Sequence, residues 1–120
     1  MIRLALVFTC VALVGCAKKQ DAPPPPGPAA PAMPAEEVQR SRDACQTYVE
    51  KVCACADKTP ALQKQCDLAR ALPDAVRLGL EVAASPDSKR NDVIGAQDSV
   101  RKAAKECIEE IAKLPALGCQ

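Results

Sequence analysis

The chain contains no histidine and no tryptophan, and its aromatic side chains are one phenylalanine and one tyrosine. Without histidine it lacks the usual general base near neutral pH, the commonest metal ligand, and the residue that a C-x-x-C-H haem site needs. With only two aromatic rings, an aromatic-lined ligand pocket and a base-stacking platform are both excluded. Neither sign of charge dominates: 16 Lys and Arg face 15 Asp and Glu, a net charge of +1. That balance leaves no basic footprint for nucleic acid. No apolar run reaches the roughly 20 residues needed to span a bilayer. The whole chain, 120 residues, has room for one small domain.

What is abundant is cysteine, eight residues, and proline, eleven, and both are unevenly placed. Met1-Ile2-Arg3 opens with one positive charge, and Leu4 to Val14 is apolar apart from Thr9. A charged start, a short apolar middle and small residues at the end have the layout of a secretory signal peptide. A buried first helix would have no core to join, because charge and polyproline follow. The segment closes on Leu13-Val14-Gly15-Cys16, which resembles the lipobox of bacterial lipoproteins: an aliphatic residue, a variable one, a small one, then Cys. The resemblance implies cleavage before Cys16, a diacylglyceryl group on its thiol, and acylation of the new amino group. Cys10 would leave with the peptide over 1–15. Each buried CH₂ contributes roughly 0.8 kcal/mol to partitioning, so two or three chains anchor the protein to a membrane where one would not. Ala17, where an Asp would imply inner-membrane retention, points to the outer membrane. Lys18 and Lys19 would sit among anionic headgroups at about 1 kcal/mol each.

Residues 16–35 read as the lipidated Cys and a Pro-rich disordered tether, since residues 17–35 hold seven of the eleven prolines, including the run Pro23 to Pro26. This stretch has little to bury and should be polyproline-II-like, reaching at most roughly 60 Å at ~3.1 Å per residue.

From Glu36 onward apolar residues recur every three and four positions, with no sustained two-residue alternation. Val38, Cys45, Val49, Val52 and Ala56 form one stripe, and Tyr48 sits near its edge. Thr59-Pro60 gives an N-cap and a first-turn proline. A second stripe runs through Leu62, Cys66, Ala69, Val76, Leu80 and Ala83, with a kink or break expected at Ala69 to Asp74 because of Pro73. Ser85-Pro86-Asp87-Ser88 signals another start. The third stripe is Val93, Ala96, Val100, Ala104, Cys107, Ile111 and Leu114, ended by Pro115 and Gly118. Gly79 and Gly95 lie off the stripes and read as ordinary weak points. The expected domain, 36–120, is all-α: a small antiparallel three-helix bundle with a kinked second helix.

Six cysteines belong to this domain: Cys45, Cys53, Cys55, Cys66, Cys107 and Cys119. An even count in a secreted domain reads as three disulfides. Alanine, valine and leucine bury little area per residue, so such a domain is marginal without staples. Fifteen pairings are possible. Cys53 and Cys55 point about 200° apart on a helix and should reach two different neighbours, one on helix 2 and one on helix 3. The pairing favoured by this reading is Cys45–Cys66, with Cys53 and Cys55 taking Cys107 and Cys119 in either order; Cys53–Cys66 is the rival. Thiolate binding of Zn or Cu(I) through Cys45, Cys53, Cys55 and Cys66 is the alternative use of the sulfurs, although C-x-C lacks the paired C-x₂-C spacing of recognisable zinc sites.

No catalytic constellation is visible. Ser41, Ser85, Ser88 and Ser99 have no histidine to activate them, and Glu109 and Glu110 diverge by about 100° on a helix. Arg101, Lys102 and Lys105 read as a solvated face. The expectation is a non-enzymatic, lipid-anchored cell-envelope protein carrying a structural or interaction module, with an envelope protein as partner and neither cofactor nor small-molecule substrate.

Overall fold

The computed structural model describes Gly27 and residues 29–119. The proposed signal peptide over 1–15, the Leu13-Val14-Gly15-Cys16 motif, Lys18 and Lys19, and the run Pro23 to Pro26 lie outside the described residues.

Pro34, whose missing N–H costs nothing outside a helix, precedes helix α1 (Ala35–Ala56), with Glu36 and Glu37 in its first turn beside the positive helix end. The helix stops because Thr59 precedes Pro60, which forces it into an extended conformation (φ −131°, ψ 88°). A 3₁₀ turn, Pro60–Leu62, leads into α2 (Gln63–Ala69). The break expected near Pro73 occurs: α2 ends at Ala69, whose carbonyl would face the donor that Pro73 lacks, and α3 (Leu72–Ala84) restarts after Arg70 and Ala71. Helix α4 (Arg90–Lys113) closes the bundle, and a 3₁₀ turn over Leu114–Leu117 ends at Gly118 in the left-handed region (φ 83°). There the Cys119 N–H donates to the Leu114 carbonyl at 3.0 Å, a closing turn that glycine permits without strain.

The result is the expected all-α bundle of three rods, the second broken into α2 and α3. Chain-adjacent rods are antiparallel, so α1 and α4 run parallel. Three cross-links in the same order along both helices, Glu37 with Arg101, Cys45 with Cys107 and Cys55 with Cys119, follow from that direction.

The stripes become the core. Cys45, Val52, Ala56, Leu62, Cys66, Ala69, Val76, Leu80, Val93, Val100, Ala104, Cys107 and Leu114 are buried, whereas Val38, Val49, Ala83, Ala96 and Ile111 stay half-buried at its margins. Three positions, Tyr48, Gly79 and Ser88, differ from expectation, while Gly95 does not. Tyr48, placed near the edge of its stripe, is buried at 3% exposure, because the hydroxyl finds a partner inside the bundle. Gly79 is no passive weak point: a Cβ there would come within 2.7 Å of Val100 Cγ2, so its absence sets how closely α3 approaches α4. Gly95 has open space around it. Ser88 caps backwards rather than forwards, its Oγ donating to the Val82 carbonyl at the end of α3 at 2.8 Å.

The tether's last residues are also not free. Met33 packs against the core, and the Pro31 carbonyl accepts a 2.7 Å hydrogen bond from Gln97 Nε2, a buried side chain on α4. Pro31 and Met33, expected to belong to the tether, are therefore docked on the helical domain, short of the expected boundary at 35.

Candidate functional site: sulfur cross-links and the outer face of the bundle

All six cysteines of the helical domain are joined in pairs: Cys45–Cys107, Cys53–Cys66 and Cys55–Cys119. Cys53 and Cys55 do reach different rods, one to α2 and one to the chain beyond α4. The expected Cys45–Cys66 bond is not formed. Cys66 stands level with Cys53 across the α1–α2 hairpin. Cys45 lies eight residues earlier on α1, about 12 Å along its axis, beyond the Cα separation of about 7 Å that a disulfide tolerates. Cys45 instead faces α4 at the level of Cys107, with their Cα atoms 5.0 Å apart.

The first bond is sealed: Cys45 and Cys107 are both 0% exposed. Cys53–Cys66 closes a separation of 13 residues, and the other two close 62 and 64. In the chain-entropy model these correspond to roughly 3 kcal/mol for the short loop and roughly 4 kcal/mol for each long one.

Beside the sulfurs runs a polar network that periodicity did not reveal. Gln65 Nε2 on α2 donates to the Tyr48 hydroxyl on α1 at 2.9 Å and to Glu110 Oε2 on α4 at 3.2 Å. Lys113 Nζ donates to Glu110 Oε1 at 2.6 Å, and the pairing raises the Lys113 pKa. Three rods are thus joined by one amide. Among the described residues, every buried side-chain nitrogen or oxygen has a hydrogen-bond partner.

The outer seam between α1 and α4 forms an open groove of about 450 Å³, with Ser41 and Ala104 in its floor and Arg40, Lys105 and Ile108 along its sides. Ser41 Oγ donates to the Glu37 carbonyl at 2.9 Å, so its hydroxyl is spent on the helix backbone. Across the groove, Arg101 Nε donates to Glu37 Oε1 at 2.6 Å, the one salt bridge between helices among the described residues. The Arg101 guanidinium holds the Glu37 carboxyl below the ordinary carboxylate range. A depressed folded-state value means that the pair stabilises the fold above the unfolded glutamate range, near about 4.3. That contribution fades as pH falls through the lower folded value. Being exposed and screened, the pair adds little. Arg101, Lys102 and Lys105 are exposed, as a solvated face requires, and Lys105 lies 3.8 Å from Glu109.

Several large apolar side chains face solvent: Leu68, Leu78, Val82, Ile108 and Leu117. Leu78 and Val82 are one turn apart on the side of α3 opposite the core residues Val76 and Leu80. Of the serines, Ser85 Oγ accepts from the Asp87 N–H, Ser88 serves α3, and Ser99 Oγ donates to the Gly95 carbonyl. Each hydroxyl is engaged with backbone. Among the described residues, no three Cys, Asp or Glu side chains converge as a metal-holding group, and no helix is long and apolar enough to cross a membrane. Comparison of the chain with known protein families, with curated proteins and with solved structures finds no match in any of the three.

Proposed function

We propose that this protein is a lipid-anchored component of a bacterial cell envelope, held at the outer membrane through Cys16, whose small helical module serves a structural or protein-interaction role. The observation that carries the reading is the sulfur count. The six cysteines of the module use one another completely, so the module's cross-links draw on neither Cys10 nor Cys16. A cysteine so placed, directly after Leu13-Val14-Gly15 at the end of an eleven-residue apolar run, fits acylation better than any packing role.

The module supports an interaction role rather than catalysis. Its serine hydroxyls are spent on backbone atoms, it contains no histidine, and its outer face offers solvent-facing Leu78, Val82 and Ile108. The tether raises the concentration of the module near any envelope partner within reach.

The anchor is tested by mass spectrometry of protein recovered from envelopes. The wild-type chain is expected to begin at an acylated Cys16, and Cys16→Ser should abolish acylation while the module still folds. An acylated Cys16→Ser chain, or a wild-type chain that keeps residues 1–15, would overturn the assignment. The partner is sought by photocrosslinking in intact cells from positions 78 and 108. A discrete protein adduct is expected, and adducts to lipid alone would contradict an interaction module.

A further inference from the structure

The three disulfides differ in what surrounds them. Cys45–Cys107 lies inside the bundle with both ends fully buried. Cys53–Cys66 is held within a hairpin whose two arms are helical. Cys55–Cys119 sits at the far end of the α1–α4 seam, tying α1 to a residue beyond the last helical turn. A small cavity of about 70 Å³ lies there, lined by Lys51, Ile111, Leu114, Pro115 and Cys119. Lys51 is exposed and makes no ion pair among the described residues. It is also one helical turn from Cys55, so the two side chains share a face of α1. Lys51 thus lines one cavity with Cys119 and shares a face of α1 with Cys55, whereas neither Cys45 nor Cys107 lines that cavity.

Thiol–disulfide exchange runs through attack by a thiolate on one sulfur with departure of the other as thiolate, and it is faster when the departing thiolate is stabilised. A fixed cation favours the thiolate form. The backbone that must yield is short: the Leu114–Leu117 turn and Gly118, whose closing hydrogen bonds involve only Leu114 and Pro115 carbonyls. The other two bonds join residues within helices on both sides, Cys45–Cys107 between α1 and α4 and Cys53–Cys66 between α1 and α2.

We propose that Cys55–Cys119 is a thiol–disulfide exchange site for a dithiol reductant, entered through the cavity lined by Lys51. One thiolate of the reductant attacks Cys119 Sγ, and the S–S bond breaks with its electron pair going to Cys55 Sγ. The second thiolate of the reductant then attacks the first, forming the reductant's own disulfide and releasing the Cys119 thiolate. Cys55 and Cys119 each gain a proton; the reductant loses two electrons and two protons. The open form releases residues 114–119 from α1 and leaves the other two cross-links intact.

The test uses the oxidised full chain, with any free thiol at Cys10 or Cys16 first blocked by unlabelled iodoacetamide. Graded dithiothreitol under native conditions, followed by trapping with labelled iodoacetamide and peptide mapping, is expected to give a first species labelled at Cys55 and Cys119 only. Lys51→Gln, an exposed substitution, should slow that step by about two- to threefold. It should leave the Cys53–Cys66 step unchanged, and Lys51→Arg should restore the rate. First labelling at Cys53 and Cys66 or at Cys45 and Cys107, simultaneous labelling of all six, or a wild-type rate in Lys51→Gln would each overturn the proposal.

Discussion

Helix α4 meets its two long neighbours by different means. Against α1 it is held covalently: Cys45–Cys107 crosses the middle of the seam, Cys55–Cys119 closes its end, and Glu37–Arg101 spans its start. Against α3 there is no sulfur among the described residues. Contact there rests on Gly79 letting Val100 approach, flanked by Val76 and Leu80. The buried residues of α1 include three small ones, Ser41, Cys45 and Ala56, beside Tyr48 and Val52, and small side chains remove little area from water. The α3 face offers valine and leucine and a glycine that brings the backbones together, so dispersion and burial suffice. A domain with almost no aromatic residues can close its core either by packing more closely or by cross-linking, and this one does both at the two seams of a single helix.

The comparison can be broken from the sulfur side first. The double variant Cys45→Ala, Cys107→Ala removes the central cross-link of the α1–α4 seam. Chemical unfolding should show it less stable by roughly 4 kcal/mol, the value for a loop of this length. A loss under about 1 kcal/mol would mean that the seam packs adequately without sulfur.

The packing side responds to Gly79→Val. The added side chain meets Val100 across a gap with no room even for a Cβ, so overpacking should cost about 1–3 kcal/mol. Hydrogen exchange should locate the loosening in α3 and the first half of α4 while amides around Cys45 and Cys107 stay protected. The smallest effect has the opposite sign. Gly95 lies on the same α4, and a methyl added there would meet nothing within 4 Å, so Gly95→Ala should stabilise by about 0.5–1 kcal/mol in the same unfolding assay.

These two glycines show where reading the chain succeeds and where it stops. Both lie off the apolar stripes and look alike in one dimension; only the crossing of α3 over α4 separates them. The stripes themselves were legible, because Val52, Cys66, Val76, Val100 and Cys107 recur at helical spacing and all are buried. The break before Pro73 was legible for a local steric reason. The partner of Cys45 was not, since it depends on the axial level of α4 beside α1, which no local pattern encodes. Tyr48, Gln65 and Gln97 escaped for a related cause. A polar group enters the interior only when a partner waits there, and the partners, Glu110 on another rod and the Pro31 carbonyl, are far away in sequence. Composition suggests a spacer for the proline stretch, whereas Pro31 docks on Gln97, which composition cannot signal.

The most direct measurement is thermal unfolding of the oxidised chain, followed by circular dichroism with and without a reductant strong enough to open all three bonds. Three cross-links together exceed the net stability expected of so small a core. The oxidised protein should melt cooperatively, and the fully reduced protein should lack a cooperative transition or melt roughly 15 °C or more lower. Superimposable melts, with six newly alkylated thiols proving the reduction complete, would show that packing alone holds the rods and that sulfur is incidental.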